Sequence, residues 1–341
     1  MSLATPQSDR ELITLAVPVL NEEAYIASCL ESLLTQGDTH RLEILVLDGG
    51  SQDRTAAIVQ AMAARHPEIR LVENPARLQS AAVNLAARIA ARESRILLRA
   101  DAHAWYPPGF VTGVVAALRA QKATSVVVPM LTVGEEGLQR GIAAAQNSRL
   151  GNGGSAHRLG RRSEWVDHGH HAAFDRAFFL SIGGYDERFT HNEDAELDLR
   201  AQAAGGRIWL CADHPVTYFP RKDLASLARQ YMKHGAGRAR TLLKHRLRPK
   251  PRQMAPVIAL LANLAALLVA PFWAPALLVP ALYAALCLGW GVWLAIRGGD
   301  PWLAAAGPAA MTMHMAWGLG FLRSLVRHRG ERRFTVPASA S

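Results

Sequence analysis

Between Ala255 and Ile296 the chain runs for 42 residues without a formal charge, and a second uncharged run covers Pro301 to Leu322. About 20 apolar residues suffice to cross a bilayer, and a helix inside a soluble core seldom needs so much uncharged length. Membrane insertion is therefore the first expectation, with a buried helical domain as the alternative. The first run is long enough for two crossings, broken near Pro271, Pro275 or Pro280, so three segments are expected in all. Basic collars frame this region. Residues 221–252 hold 11 Lys and Arg against one acidic residue, and residues 323–333 hold five against one. Residues 1–220, with 21 basic and 25 acidic side chains, carry −4, which argues against nucleic acid as a partner. Collars beside apolar runs fit the cytoplasmic face of a membrane. Two collars on one face require an even number of crossings. Three segments therefore imply that one is re-entrant or interfacial, or that the tail lies on the far side.

The rest of the chain has a different rhythm. Leu12 to Leu20 is an apolar, β-branched run stopped by Asn21, and Glu22 to Leu34 shows helical periodicity. Residues 42–47, 69–72, 95–99 and 124–130 read as further strands, and 53–65, 78–92 and 108–121 as helices. Continuous apolar strands alternating with helices predict an α/β domain with a mostly parallel sheet, whose strand C-termini carry the site. Residues 134–164, with Gly151-Asn-Gly-Gly-Ser, read as a loop, and Leu224 to Leu243 as a basic amphipathic helix. The expected division is 1–220 catalytic, 221–254 interfacial, 255–322 transmembrane and 323–341 a basic tail. Three scattered cysteines, Cys29, Cys211 and Cys287, give no disulfide scaffold and no metal spacing. The polar start, Met1 to Arg10, lacks a signal-peptide core, which places the first unit in the cytoplasm.

Several residues carry chemistry. Asp48 and Asp101 each end an apolar strand, where a carboxylate can read a nucleotide or hold a divalent cation, or simply cap a loop. His103 follows Asp101 at the second position and could share its cleft. Glu193 and Asp194 precede a helical run, as N-terminal charge stabilisers or as a rigidly held general base. The Asp167-His-Gly-His-His cluster could bind zinc or sit on a surface loop. His170 and His171 more readily line a pocket for phosphate or sugar hydroxyls. Arg229, Gln230 and Lys233 lie where a helix could meet anionic lipid or neutralise a departing diphosphate.

Taken in order, Val17-Pro-Val-Leu-Asn-Glu-Glu, Leu47-Asp-Gly-Gly-Ser-Gln-Asp, Ala100-Asp-Ala-His and Asn192-Glu-Asp-Ala-Glu resemble a family 2 glycosyltransferase. The likeness is greatest to membrane-associated bacterial enzymes of succinoglycan or exopolysaccharide biosynthesis, and covers residues 12 to 243. It implies a GT-A fold using a nucleoside-diphosphate sugar, with uridine favoured as the base, Mg²⁺ or Mn²⁺, and inversion at the anomeric carbon. Pro18, Asn21 and Glu22 would then bound the nucleotide pocket, with Asp48 on the uracil or ribose side and Asp53 bracing its loop. Asp101 matches the first position of the metal-binding Asp-x-Asp motif, and His103 stands at its last. Asp194 matches the catalytic base. Gln230 and Lys233 fall at the spacing of the Gln-x-x-Arg-Trp signature of processive enzymes, but His234 replaces the Trp. The expected acceptor is therefore a polyprenyl-diphosphate-linked saccharide receiving one sugar at the bacterial inner membrane. A processive synthase and a non-catalytic saccharide-binding scaffold are the alternatives.

Overall fold

The computed structural model describes residues 10–37, 39–153 and 162–328. The chain forms two compact units, one of Met1–Leu131 with Ser155–Phe219, the other of Thr132–Gly154 with Pro220–Ser341.

In chain order the first unit contributes β1 (Leu12–Val19), α1 (Ile26–Leu34), β2 (Arg41–Asp48), α2 (Thr55–Ala63), β3 (Ile69–Glu73), α3 (Gln79–Ile89), β4 (Ile96–Arg99), α4 (Phe110–Ala120) and β5 (Ser125–Val128). β6 (Met130–Thr132) lies at the boundary. After the second unit's α5 (Gly137–Gln146) and α6 (Arg149–Asn152) come β7 (Glu164–Val166), β8 (His170–Asp175), α7 (Arg176–Ser181), α8 (Glu193–Ala203), β9 (Ile208–Leu210) and β10 (Val216–Tyr218).

Eight strands form one sheet in the order β3-β2-β1-β4-β8-β5-β9-β7, and β10 pairs with β6 apart from it. The pairs β1–β2, β1–β4, β2–β3 and β5–β9 are parallel. Strands β8 and β7 run against their neighbours. Ile13, Leu15, Ile44, Val46, Leu98 and Val126 are buried on the sheet, each contributing about 1.5–3 kcal/mol. Helix α1 covers one face with Ile26, Cys29, Leu30 and Leu33, the i, i+3, i+4, i+7 stripe of an amphipathic helix. The register of β8 against β5 shifts between Val126↔Ala173 and Val127↔His171, leaving Ala172 as an extra, bulged residue.

The second unit continues with α9 (Leu224–His245), α10 (Pro251–Val269), α11 (Leu278–Gly298) and α12 (Ala306–Arg327), with short 3-10 turns at Ala274–Leu277 and Pro301–Ala305. One sequence expectation is corrected here. Residues 137–152 are helical, because Ile142 and Ala145 find an apolar partner in Ala306, Ala309 and Met313. They therefore interrupt the 1–220 span expected for one domain, and 154–161 of that expected loop lie outside the described residues. Of the three apolar segments, only α10 and the stretch Ala274–Gly298 are long and apolar enough to cross a membrane among the described residues. Helix α12 is instead largely covered by protein, with Ala309, Ala310, Met313, Gly320 and Phe321 buried.

Candidate active site

Loops after β1 and β2 are laced together at the C-terminal edge of the sheet. Asn21, in the left-handed region at φ 57°, donates its backbone N–H to Ser51 Oγ at 2.9 Å. Ser51 in turn donates its hydroxyl to Asp48 Oδ1 at 2.6 Å. The Asn21 side chain accepts from Gln52 N at 2.7 Å, and Glu22 N donates to Thr55 Oγ1 at 2.8 Å. Asp53 accepts from Thr55 N and from Glu23 N, tying the start of α2 to the first loop. These bonds hold Asp53 below the usual carboxylate range against the opposing effect of desolvation. Pro18, half-buried in β1, pairs with Leu47 in register. Pro18, Asn21, Glu22 and Asp48 thus line a single edge.

Beside this edge lies a buried charge cluster. Alternation along the end of β4 turns Arg99 and Asp101 to the same side. Arg99, 5% exposed, donates from Nη1 to Asp194 Oδ1 at 2.8 Å and to Tyr185 Oη at 3.2 Å. Its Nε makes no hydrogen bond and faces Asp101 Oδ1 at 3.5 Å. Tyr185 adds a second bond to Asp194 Oδ1, at 2.7 Å. Burial disfavours the Asp194 carboxylate, but Arg99 first, then His171, His170 and the Tyr185 bond, hold it far below the usual range. Glu193 shows the opposite: burial and then the neighbouring Asp194 charge push it up to about 7. Both begin α8 after Asn192, left-handed at φ 67°, which aims the helix start into the cluster. Oδ1 of Asp194 is thus held by two bonds, and among the described residues Oδ2 takes none.

Asp101 accepts from Gln79 Nε2 at 3.0 Å, and its Oδ2 stands 3.5 Å from His170 Nε2. Burial would raise its carboxyl; Arg99, His170 and His103 overcome that and hold it lowered. Burial pushes His170 down to about 4, so it is a neutral imidazole near pH 7. His103 Nδ1 lies 3.2 Å from Glu22 Oε1. Among the described residues no group of three or more His, Cys, Asp or Glu is gathered to hold a metal. The Asp101 carboxylate and the neutral His170 imidazole still fit a divalent cation, whose remaining positions a diphosphate and water would fill.

His171 does not belong to this pocket, contrary to expectation. It is 1% exposed, bonds Asp198 Oδ1 through Nε2 at 2.7 Å and stacks on Phe174. Adjacent residues of a strand face opposite ways, so His170 meets Asp101 while His171 meets Asp198. Burial lowers His171, but Asp198 more than offsets this and raises it. His168 Nδ1 meets the other oxygen of Asp198 at 2.6 Å. Asp198 is thereby committed to two imidazoles, which leaves no zinc cluster at residues 167–171. Arg229, Gln230 and Lys233 lie on α9 in the second unit. Sequence reasoning missed Arg99, Tyr185 and Gln79. Arg99 alone left a signal, as a charge ending the otherwise apolar Ile96–Arg99 strand, buried throughout.

Residues 14–183 match the model of the Glycosyl transferase family 2 domain. The succinoglycan biosynthesis protein ExoA of Rhizobium meliloti is 43% identical over 315 residues, 92% of this chain and 95% of that protein. A Methanococcus voltae dolichyl N-acetyl-alpha-D-glucosaminyl phosphate 3-beta-D-2,3-diacetamido-2,3-dideoxy-beta-D-glucuronosyltransferase is 23% identical over 240 residues, 68% of this chain and 74% of that one. Among solved structures, a Pyrobaculum calidifontis mannosyltransferase in complex with GDP-Man and Mn²⁺ superposes with a TM-score of 0.63 at 21% identity. It covers 95% of this chain and 90% of its own, and shares the GT-A-like fold. With a relative of 43% identity matched along nearly its whole length, this chain belongs to glycosyltransferase family 2.

Proposed function

We propose that the chain transfers one sugar, with inversion, from a nucleoside-diphosphate donor to a polyprenyl-diphosphate-linked saccharide at the cytoplasmic face of a bacterial inner membrane. The observation that carries this reading is Asp194, anchored through Oδ1 by Arg99 and Tyr185 and open at Oδ2. The acceptor hydroxyl oxygen attacks the anomeric carbon, the bond to the diphosphate oxygen breaks, and Asp194 Oδ2 takes the hydroxyl proton. Ionisation of Asp194 is secured by Arg99, so the base is charged whenever the acceptor arrives. Glu193, half-protonated near pH 7, keeps a second negative charge from crowding the same helix start.

Pro18, Asn21, Glu22 and Asp48 bound the nucleotide, with the Asp48–Ser51–Asn21 relay fixing the two loops that close on it. A bound Mg²⁺ or Mn²⁺, held by Asp101 with His170 or His103, would supply positive charge to the departing diphosphate. Arg229, Gln230 and Lys233 are assigned to the diphosphate or the acceptor. The 43% relative supports the exopolysaccharide setting. A lipid-linked acceptor suits a chain with two apolar helices of membrane-crossing length.

Diphosphate release from a panel of nucleoside-diphosphate sugars, with and without a polyprenyl-linked saccharide extract, tests this reading. Acceptor-dependent release from one donor, abolished in Asp194→Asn, is expected, and a single added sugar separates it from a processive synthase. Release from no donor by folded protein with a competent acceptor pool would return the scaffold reading.

A further inference from the structure

Asp101 has a freedom that a cation ligand has to lose. The last torsion of an aspartate side chain is broad and roughly two-fold, so a carboxylate at a strand end can present either oxygen. The backbone is fixed, because the Asp101 N–H donates to Tyr106 Oη at 2.7 Å and Tyr106 is buried against Phe110. Arg99 sets the side chain only loosely. That guanidinium is committed through Nη1 to Asp194 and Tyr185, and its Nε stands off Asp101 Oδ1 at 3.5 Å. Among the described residues the Asp101 carboxylate accepts one hydrogen bond, from Gln79 Nε2 to Oδ1 at 3.0 Å. Oδ2 is thereby left on the side of His170, 3.5 Å from its Nε2.

Gln79 is exposed, opens α3 and reaches Asp101 across 22 residues of sequence. Ordering a long polar side chain at a surface costs entropy, and the turn before Gln79 reduces what the backbone adds to that cost. Asn74, which is buried, donates its N–H to the Asp48 carbonyl at 2.7 Å and its Nδ2 to the Leu78 carbonyl at 3.0 Å. Between them Arg77 donates its N–H to the Asn74 carbonyl at 3.0 Å and takes φ 55°, in the left-handed region that residues other than glycine seldom enter. The turn is thus tied to the end of β2. The helix start that bears Gln79 is held in the same frame as Asp48.

The amide suits this place chemically. A further cation beside Asp101 would repel a divalent ion, whereas a carboxamide donates to Oδ1 without adding charge. Outer partners of this kind fix the orientation of a metal ligand and change how tightly the ion is held. We propose that Gln79 is the positioning residue of the cation site: its amide holds Asp101 Oδ1, which keeps Oδ2 turned toward His170 and available to the Mg²⁺ or Mn²⁺ of the transfer reaction. The inference rests on the reading of Asp101 as a metal ligand, and is independent of the sugar transferred.

Calorimetry on the full chain in detergent tests this, with UDP and GDP as probes, in EDTA and across a series of Mn²⁺ concentrations. The quantity read is the Mn²⁺ concentration that gives half of the full gain in nucleotide affinity. Gln79→Met keeps the length of the side chain and removes the donor. It should raise that concentration about 10–100-fold, leave affinity in EDTA unchanged and recover the parent's affinity at saturating Mn²⁺. An unchanged Mn²⁺ requirement in the folded variant would overturn the proposal, and with a lowered unfolding temperature it would make Gln79 a stabilising contact only. A loss of affinity in EDTA equal to that in Mn²⁺ would overturn it in favour of a direct contact between Gln79 and the nucleotide. Asp101→Asn separates the proposal from the reading beneath it. If Mn²⁺ brings the parent no gain with either nucleotide, or brings Asp101→Asn the same gain as the parent, Asp101 is no metal ligand and that reading fails first.

Discussion

The two units break opposite rules of protein surfaces. The first hides charge: Arg99, Asp101, Glu193 and Asp194 crowd together with at most a sixth or so of any side chain open to solvent. The second unit shows hydrocarbon, with Leu268, Phe272, Leu286 and Ile296 facing out. Buried charge and exposed large apolar side chains are the informative exceptions to ordinary burial. Each has a cost that a merely stable fold would avoid, and each marks where the chain meets something else. On the function proposed above, the first unit would meet a polar substrate there and the second a lipid phase.

The largest effect is expected where the buried charge is proposed to react. Asp194→Asn keeps the shape and both anchoring partners but cannot accept a proton, so turnover should fall about 10²–10⁴-fold while donor binding by calorimetry persists. Full activity in a folded variant would remove Asp194 from the chemistry. Next comes Arg99→Met, which leaves Asp194 and Asp101 without their common cation. Urea unfolding at pH 7 should show a loss of roughly 3–5 kcal/mol. A milder loss would mean that water already reaches the cluster.

On the other side of the comparison, Leu286→Arg would be harmless on a water-exposed helix. In a bilayer it should cost about 2.5–3.5 kcal/mol, read as reduced recovery in the membrane fraction. Glu193→Gln gives a pH-dependent test. The folded acid titrates near 7, above its ordinary 4.5, so its contribution to stability is present below pH 4.5 and is lost as pH rises through 7. The Gln variant stays neutral, and its advantage over the parent should grow from little at pH 5 to at most roughly 3 kcal/mol at pH 8. Equal unfolding midpoints at both pH values would show that Glu193 is not held in the acid form. The smallest effect belongs to Arg41→Ala, which removes a surface pair with Glu93 at 3.4 Å. It should change stability by less than about 1 kcal/mol, as a baseline for the other variants.

Much of the first unit was legible because strands covered on both faces read as unbroken apolar runs, as Ile44-Leu-Val-Leu does in β2. Helix α5 was not, because Gln139, Arg140 and Gly141 interrupt its apolar stripe and its partner, α12, lies more than a hundred residues away in the chain. In the site, Asp101 and Asp194 were legible from their places at a strand end and a helix start. Their joint cation was not: Arg99 reaches Asp194 across 95 residues, and only the folded sheet brings them together. The division between His170 and His171 was open to simple strand alternation, yet a cluster of adjacent imidazoles invites a shared role. The protein partners of α12 were not legible either, because an apolar run such as Pro301 to Leu322 looks alike whether lipid or protein covers it.

The bulge at Ala172 has a consequence for how this sequence can change. His171 stacks on Phe174, three positions further on, although an unbroken pleat would turn those two to opposite faces. The extra residue is looped out of the alternation, so removing it would leave His170 with Asp101 and His171 with Asp198. A residue gained in the same stretch, and drawn into the pleat, would exchange the two imidazoles without altering either. Shortening and lengthening of this stretch are therefore unequal changes. One would keep each imidazole with its partner, at the expense of the buried Ala172 side chain, and the other would exchange them.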